Sequence, residues 1–111
     1  MLLHCVFLQF ADRYAEAERK EVLRDLGTLK GEVDGMLQYH HGPNLDFESK
    51  TPEHKDGFVI LFRDREAHLA YERHPKHVRL SARLVEMCVG GADGIVVYDI
   101  ACEGDTSSQS T

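Results

Sequence analysis

The histidines and tyrosines of this chain are the side chains best suited to moving protons. Seven histidines are present, and the segment from Tyr71 to His77 places a phenol and two imidazoles on either side of Pro75. A histidine with an ordinary pKa of roughly 6.5 accepts a proton at neutral pH, and a phenol donates a hydrogen bond to a developing oxyanion. At helix ends the same groups often bond only to backbone. The segment therefore indicates either proton transfer or a bracing role.

Metal binding is not favoured by the spacing of the histidines and acids. His40 and His41 are adjacent on a predicted strand, so their side chains point to opposite faces and cannot share one ion. A second group of nitrogen and oxygen ligands is His74 and His77 with either Asp56 or Glu72. Its spacing matches no helix-borne zinc motif, and Pro75 interrupts it. We therefore expect no metal ion.

The cysteines and glycines also lack the patterns of a cofactor site. Cys5, Cys88 and Cys102 form an odd set without Cys-x-x-Cys spacing, which indicates neither a disulfide framework nor a zinc ribbon. Such cysteines are typical of a reducing cytoplasm. Gly90-Gly91 and Gly94 precede a predicted strand instead of opening a helix, so they do not form a phosphate loop. We expect no cofactor.

Composition indicates one globular domain. The chain has 111 residues, of which 42% are apolar and 29% charged, values close to those of ordinary globular proteins. Its net charge of -6 disfavours binding to a nucleic-acid backbone. The apolar run at residues 2–10 is interrupted by His4 and Gln9, so it is neither a signal peptide nor a membrane span. We expect a cytoplasmic protein without nucleic-acid or membrane partners.

Apolar periodicity divides the chain into alternating strands and helices. Steps of two residues indicate strands, and steps of three and four indicate amphipathic helices. A break is expected at His74, because a residue before proline is pushed out of the α region. The predicted strands are 2–10, 36–41, 58–62 and 95–101, and the predicted helical segments are 12–31, 64–71 and 76–89.

This order predicts a ferredoxin-like α+β fold. The pattern βαββαβ is the split βαβ arrangement, which we assign to residues 1–102, while the polar stretch 103–111 is predicted to be a disordered tail. Several strands are apolar on both sides, although helices cover only one face of such a sheet. A second copy of the chain is the simplest cover for the other face. The sequence therefore predicts a homodimer formed through the sheet.

The segment from Tyr71 to His77 carries a resemblance to a known family. It follows the apolar strand at 58–62 and precedes an amphipathic helix, and in this setting it resembles the stress-responsive dimeric α/β-barrel family, which includes olivetolic acid cyclase-like proteins. The other positions that agree with the family pattern are His4, Gly42-Pro43-Asn44 and Val97-Tyr98-Asp99. The resemblance covers about the first hundred residues. It implies two sheets packed face to face as a barrel, with a cavity between each sheet and its helices.

The resemblance also implies roles for particular residues. Tyr71 and His77 match the tyrosine and catalytic histidine of the family's cyclases, with His77 as base and Tyr71 as orienting hydrogen-bond donor. Asp56 stands where the cyclases carry another histidine, so cyclisation of the same substrate is not expected. His4 would lie near the pocket, although a lone histidine on such a strand face is more often a hydrogen-bonded core residue. His74 would line the pocket or cap a helix.

Two functions follow from this resemblance. The first is a cofactor-free lyase, isomerase or cyclase that acts on a small apolar, phenolic, carbonyl or polyketide-like compound. The second is a non-catalytic, stress-responsive homodimer or ligand carrier, in which the same residues only line the cavity. The two differ in whether His77 titrates near neutral pH beside an accessible cavity.

Overall fold

Four strands and three α-helices make up the computed structural model of the chain, which describes residues 1–103. In chain order these are β1 (Leu2–Leu8), α1 (Glu16–Gly27), β2 (Met36–Pro43), β3 (Asp56–Phe62), α2 (Arg65–Arg73), α3 (Pro75–Met87) and β4 (Ile95–Ala101). Short 3-10 turns at Thr28–Gly31 and Gly91–Gly94 follow α1 and precede β4. The tail predicted at 103–111 lies, apart from its first residue, outside the described residues.

The strands form one antiparallel sheet in the order β2-β3-β1-β4. This order and the sequence of elements confirm the predicted ferredoxin-like α+β fold. In β1, Val6 and Leu8 join the core beneath the helices, whereas Phe7 points to the other side and is exposed. The sheet therefore has a covered face, which carries His4, Val6 and Leu8, and an open face, which carries Leu3, Cys5 and Phe7.

Helix α1 is shorter than its amphipathic pattern predicts. The prediction placed its start at Asp12, but the N–H of Tyr14 donates to the carbonyl of Ala11, which makes a turn before the helix. The helix begins at Glu16, and the Glu18 carboxylate accepts a hydrogen bond from the N–H of Ala15. A carboxylate that reaches back in this way satisfies a free N–H at a helix start. Local hydrogen bonding therefore sets the boundary.

The corner between α2 and α3 is built around His74. Its ψ of 130° is extended, as the following Pro75 requires, so α2 ends there. The Nδ1 atom of His74 accepts a hydrogen bond from the N–H of Lys76 at 3.1 Å, which caps the first turn of α3. The predicted break is confirmed, and the corner turns α3 back over the sheet.

Gly35 offers a direct test of the turn that leads into β2. Its φ of +86° favours glycine, and an added Cβ would lie 2.6 Å from the Cβ of Ala67. We expect Gly35→Ala to lower the free energy of unfolding by about 1–3 kcal/mol, measured by urea denaturation. Gly31→Ala is the matched control, because nothing lies within 4 Å of its added Cβ. Equal stability of the two variants would contradict the argument.

Candidate functional site

A cavity of about 430 Å³ lies between the covered face of the sheet and helices α2 and α3. The helices contribute Tyr71 and His77, and β1 contributes His4, so the cavity brings together three of the residues singled out from the sequence. Its remaining polar walls are Arg65, His68, Glu72, Ser81 and Asp99. The apolar part of the wall includes Val6, Phe58, Leu84, Ile95 and Val97. The wall is therefore about half polar, with ionisable side chains converging on a partly apolar space, an arrangement that can orient a small molecule.

Tyr71 lines this cavity and carries a buried hydroxyl group. The residue is 1% exposed, and its ring packs against the rings of Phe62 and His77 with centroids 5.2 Å and 4.3 Å away. Among the described residues, the Tyr71 hydroxyl is buried without a hydrogen-bond partner. Burial raises the pKa of Tyr71 far above its usual value, so the phenol stays protonated at neutral pH. The side chain is therefore a hydrogen-bond donor that a ligand could satisfy.

His77 is held in one tautomer by the backbone. Its Nδ1 atom lies 3.1 Å from the carbonyl oxygen of Glu72, and because a carbonyl only accepts, Nδ1 must carry the proton. This leaves Nε2 unprotonated and able to accept a proton. Burial lowers the pKa of His77, although hydrogen bonding to the Glu72 carbonyl and the charge of Glu72 oppose that shift. The imidazole is therefore neutral at pH 7, as a general base must be.

His4 is paired with an acid from the neighbouring strand. The β1–β4 register places Asp99 opposite His4, and the His4 Nδ1 and Asp99 Oδ1 atoms are 2.5 Å apart. The His4 side chain is 11% exposed. Asp99 was noted in the sequence only as part of a family pattern, and its pairing was not predicted, since it depends on contact between the two ends of the chain.

His68 is the residue of this cavity that sequence reasoning missed. Its side chain is polar, yet the residue is only 4% exposed, and its ring centroid lies 4.7 Å from that of His4. Its Nε2 atom is 3.3 Å from the Glu72 carboxylate, and its Nδ1 atom is 2.6 Å from Nη1 of Arg65. His68 precedes Tyr71 by three residues on α2, which puts both on one helix face. That spacing was the signal that could have found it.

Asp56 and His74 lie away from this cavity. Asp56 is 3.5 Å from Arg19 of α1, and burial raises the pKa of Asp56 while the charge of Arg19 opposes the shift. Besides capping α3, His74 brings its Nε2 atom to 3.4 Å from the Glu32 carboxylate. Neither side chain lines the cavity. Of the two roles considered for His74, its contacts in this structure are those of a cap.

One group of side chains in the described part of the chain could hold a metal ion. His4, His68 and Asp99 each place a donor atom within 4.8 Å of the others. The set considered from the sequence, around His74 and Asp56, is not gathered in this way. The three potential metal ligands therefore line the cavity and come from three different elements, β1, α2 and β4.

The open face of the sheet is apolar and also concave. Phe7, Val59, Val96 and Tyr98 line a second cavity of about 640 Å³ there. Tyr98 is 60% exposed, and its ring meets that of Phe7 with centroids 6.5 Å apart. An exposed apolar face of this kind marks an interaction surface. Within residues 1–103, no helix is both long and apolar enough to cross a membrane.

The fold and the cavity define a class of protein, a ferredoxin-like α+β domain with a polar-centred pocket between sheet and helices. Comparison with protein families identifies the class more closely. The model of the stress responsive A/B barrel domain matches residues 2–102. The chain belongs to this family, which confirms the resemblance inferred from the segment around His77.

Solved structures agree with the family. The chain is similar to a dimeric ferredoxin-like protein of unknown function from Jannaschia sp. CCS1, at 39% identity and a TM-score of 0.86, over 91% of this chain and 98% of that one. A hydroxynitrile lyase from Passiflora edulis matches at 16% identity and a TM-score of 0.78, over 93% and 94% of the two chains. A cofactor-independent oxygenase from Streptomyces nogalater matches at 10% identity and a TM-score of 0.74, over 95% of each chain. No curated protein matches the chain.

Proposed function

We propose that the chain is an enzyme that moves a proton on a small carbonyl or phenolic compound, as a lyase, isomerase or cyclase does, with His77 as base and Tyr71 as hydrogen-bond donor. The observation that carries the proposal is the buried, unpaired hydroxyl of Tyr71 beside His77 in the cavity. An unsatisfied buried donor costs about 1–3 kcal/mol. A ligand oxygen that accepts from Tyr71 recovers that cost on binding.

The proposed steps use only groups of this chain. The ligand carbonyl accepts a hydrogen bond from Tyr71, and Nε2 of His77 removes a proton from the adjacent carbon. Negative charge develops on the carbonyl oxygen, where the protonated phenol stabilises it. The imidazolium then returns the proton to carbon or to a leaving group. These steps require no cofactor.

Two relatives of low identity indicate that enzymes occur among proteins with this fold. The names of two of them, a hydroxynitrile lyase and a cofactor-independent oxygenase, describe enzymes on this fold. At 16% and 10% identity they set neither the reaction nor the substrate of this chain. The argument for His77 and Tyr71 therefore depends on the contacts within this cavity.

We also propose that the active form is a homodimer joined through the open face. Phe7, Tyr98 and Ile100 on that face are exposed in the single chain. Covering them with a second copy would remove apolar area from water, at about 25 cal/mol per Å². The relative from Jannaschia, at 39% identity, is described as dimeric. Two sheets packed face to face would give the barrel after which the family is named.

The thiols support the cytoplasmic location predicted from the sequence. Cys5, Cys88 and Cys102 are all free, and burial raises the pKa of Cys5 and Cys88. A raised pKa keeps a thiol protonated and unreactive. Detection of the protein outside the cytoplasmic fraction of its cells would contradict this assignment.

Proton exchange with solvent tests the proposed base directly. A panel of small phenolic, polyketide-like and other carbonyl compounds is first screened for ligands that raise the melting temperature, since binding to the folded state stabilises it. The selected compound is then incubated with metal-stripped protein in D₂O, and NMR follows exchange at the carbon next to the carbonyl. We expect catalysed exchange, since the base acts before any later bond is made or broken.

The pH dependence of that exchange has a defined direction. Because burial lowers the pKa of His77, its neutral form persists below the ordinary value of 6.5. The exchange rate should therefore rise with pH and level off once the pH passes a midpoint below 6.5. A midpoint well above 6.5 would argue against His77. Binding without any exchange would favour the ligand carrier instead.

A further inference from the structure

We propose that His4, His68 and Asp99 bind a divalent first-row transition ion, such as zinc, in the wall of the same cavity. The spacing of the other histidines predicted no metal site, and these three residues, which lie far apart along the chain, were not considered together. The proposal goes beyond the proton-transfer function and does not depend on it. Either proposal can fail without the other.

Three separate elements converge on this site. Strand pairing between β1 and β4 sets His4 opposite Asp99, and α2 crosses the covered face so that the tilted ring of His68 has its centroid 4.7 Å from that of His4. One donor atom from each side chain lies within 4.8 Å of the other two. The side chains of His4 and His68 are 11% and 5% exposed, so packing restricts their rings. The ligands are therefore already gathered before an ion arrives.

Two imidazoles and one carboxylate are a donor set suited to zinc, iron and cobalt ions rather than to magnesium. In the present arrangement a hydrogen bond, and so one proton, joins His4 Nδ1 and Asp99 Oδ1, which are 2.5 Å apart. An ion takes the place of such a proton, because metal ligands bind in their deprotonated forms. Three protein ligands would leave a further coordination position open toward the cavity, as in catalytic zinc sites.

Tyr71, whose hydroxyl also carries the proposed function, lies beside these three residues. Its buried hydroxyl lacks a partner, and its ring centroid lies 6.0 Å from that of His4 and 6.5 Å from that of His68. A water or substrate oxygen held on the ion, in the open position, would be an acceptor for this hydroxyl.

Arg65 competes with the ion for His68. Its Nη1 atom donates to Nδ1 of His68 at 2.6 Å, and it lies 3.4 Å from the Glu72 carboxylate. An ion bound through Nδ1 takes the lone pair that accepts this bond, and an ion bound through Nε2 requires a proton on Nδ1. In both cases Arg65 must turn to Glu72. Removing Arg65 should therefore tighten ion binding.

The test is titration of tag-free, metal-stripped protein with Zn²⁺, followed by calorimetry, and with Co²⁺, followed by its visible absorption. We expect saturable binding of one ion per chain and no comparable binding of Mg²⁺. Loss of a hydrogen-bonding partner that orients a metal ligand typically costs 10–100-fold in affinity, so loss of a ligand itself should cost at least about 100-fold. Asp99→Asn and His68→Gln should show that loss, and Arg65→Gln should bind more tightly.

Two matched histidine variants serve as controls. His77→Gln removes a histidine of the same cavity that is outside the group of three, and His74→Asn removes one outside the cavity but retains a capping side chain. Both should keep the ion affinity. Circular dichroism checks folding, and Asp99→Asn remains decisive if His68→Gln does not fold, since the Asp99 side chain is 41% exposed. Absence of saturable binding, or unchanged affinity in Asp99→Asn, would overturn the site.

Discussion

The His77→Gln variant should exchange the ligand proton about 10²–10⁴-fold more slowly than the unaltered protein, because a positioned general base contributes a factor of this size. Glutamine keeps a hydrogen-bonding side chain of similar length but cannot accept and carry the proton. Tyr71→Phe should lose about 10²–10³-fold, the typical cost of removing one donor to an oxyanion. Rates are measured by NMR in D₂O at saturating ligand.

The control for this prediction is His74→Asn. His74 also lies in the segment around Pro75, but its contacts are with the N–H of Lys76 and the carboxylate of Glu32. Asparagine can cap a helix in its place, so the exchange rate should stay close to that of the unaltered protein. If His77→Gln and His74→Asn exchange at equal rates, His77 is not the base.

The Tyr98→Lys variant should be monomeric under conditions in which the unaltered protein is a dimer. Tyr98 lies on the open face and is 60% exposed in the single chain, so a lysine there does not disturb the fold of one subunit. In a symmetric dimer each subunit would bury its own unpaired ammonium group. A penalty of about 4 kcal/mol, which is modest for such burial, weakens association about 10³-fold. Size-exclusion chromatography with light scattering measures the mass.

Val78→Lys is the matched control for the interface. Val78 is 56% exposed on α3, away from the open face, so the same kind of change is made at a similar exposure. This variant should remain a dimer. Dimers of equal stability in both variants would place the interface elsewhere, and a monomeric unaltered protein would contradict the homodimer itself.

Part of the candidate site could be predicted from sequence because it is local. Tyr71 and His77 are six residues apart on either side of a proline, and the break at His74 follows from the steric effect of Pro75 on the residue before it. His68 is on the same helix face as Tyr71 and was within reach of the same reasoning. Roles that depend on one helix and its corner need no knowledge of distant contacts.

Other parts of the site depend on packing between elements. His4 and Asp99 are 95 residues apart, and only the pairing register of β1 with β4 brings them to 2.5 Å. Asp56 was named as a pocket candidate, but its nearest charged partner is Arg19 of α1. Which of these contacts forms depends on how α1 and the strands pack, and residue spacing does not contain that information.

By itself, the sequence determined the order of the strands and helices and the ferredoxin-like class, because apolar periodicity and turn residues act over short stretches of chain. The family followed from the resemblance of the segment from Tyr71 to His77. The sequence also marked strands that are apolar on both sides. Only the tertiary structure decided that His4, His68, Tyr71, His77 and Asp99 share one cavity while Asp56 and His74 do not. The physical reason is that a cavity is closed by side chains from separate elements, whose relative positions are set by packing of the whole core.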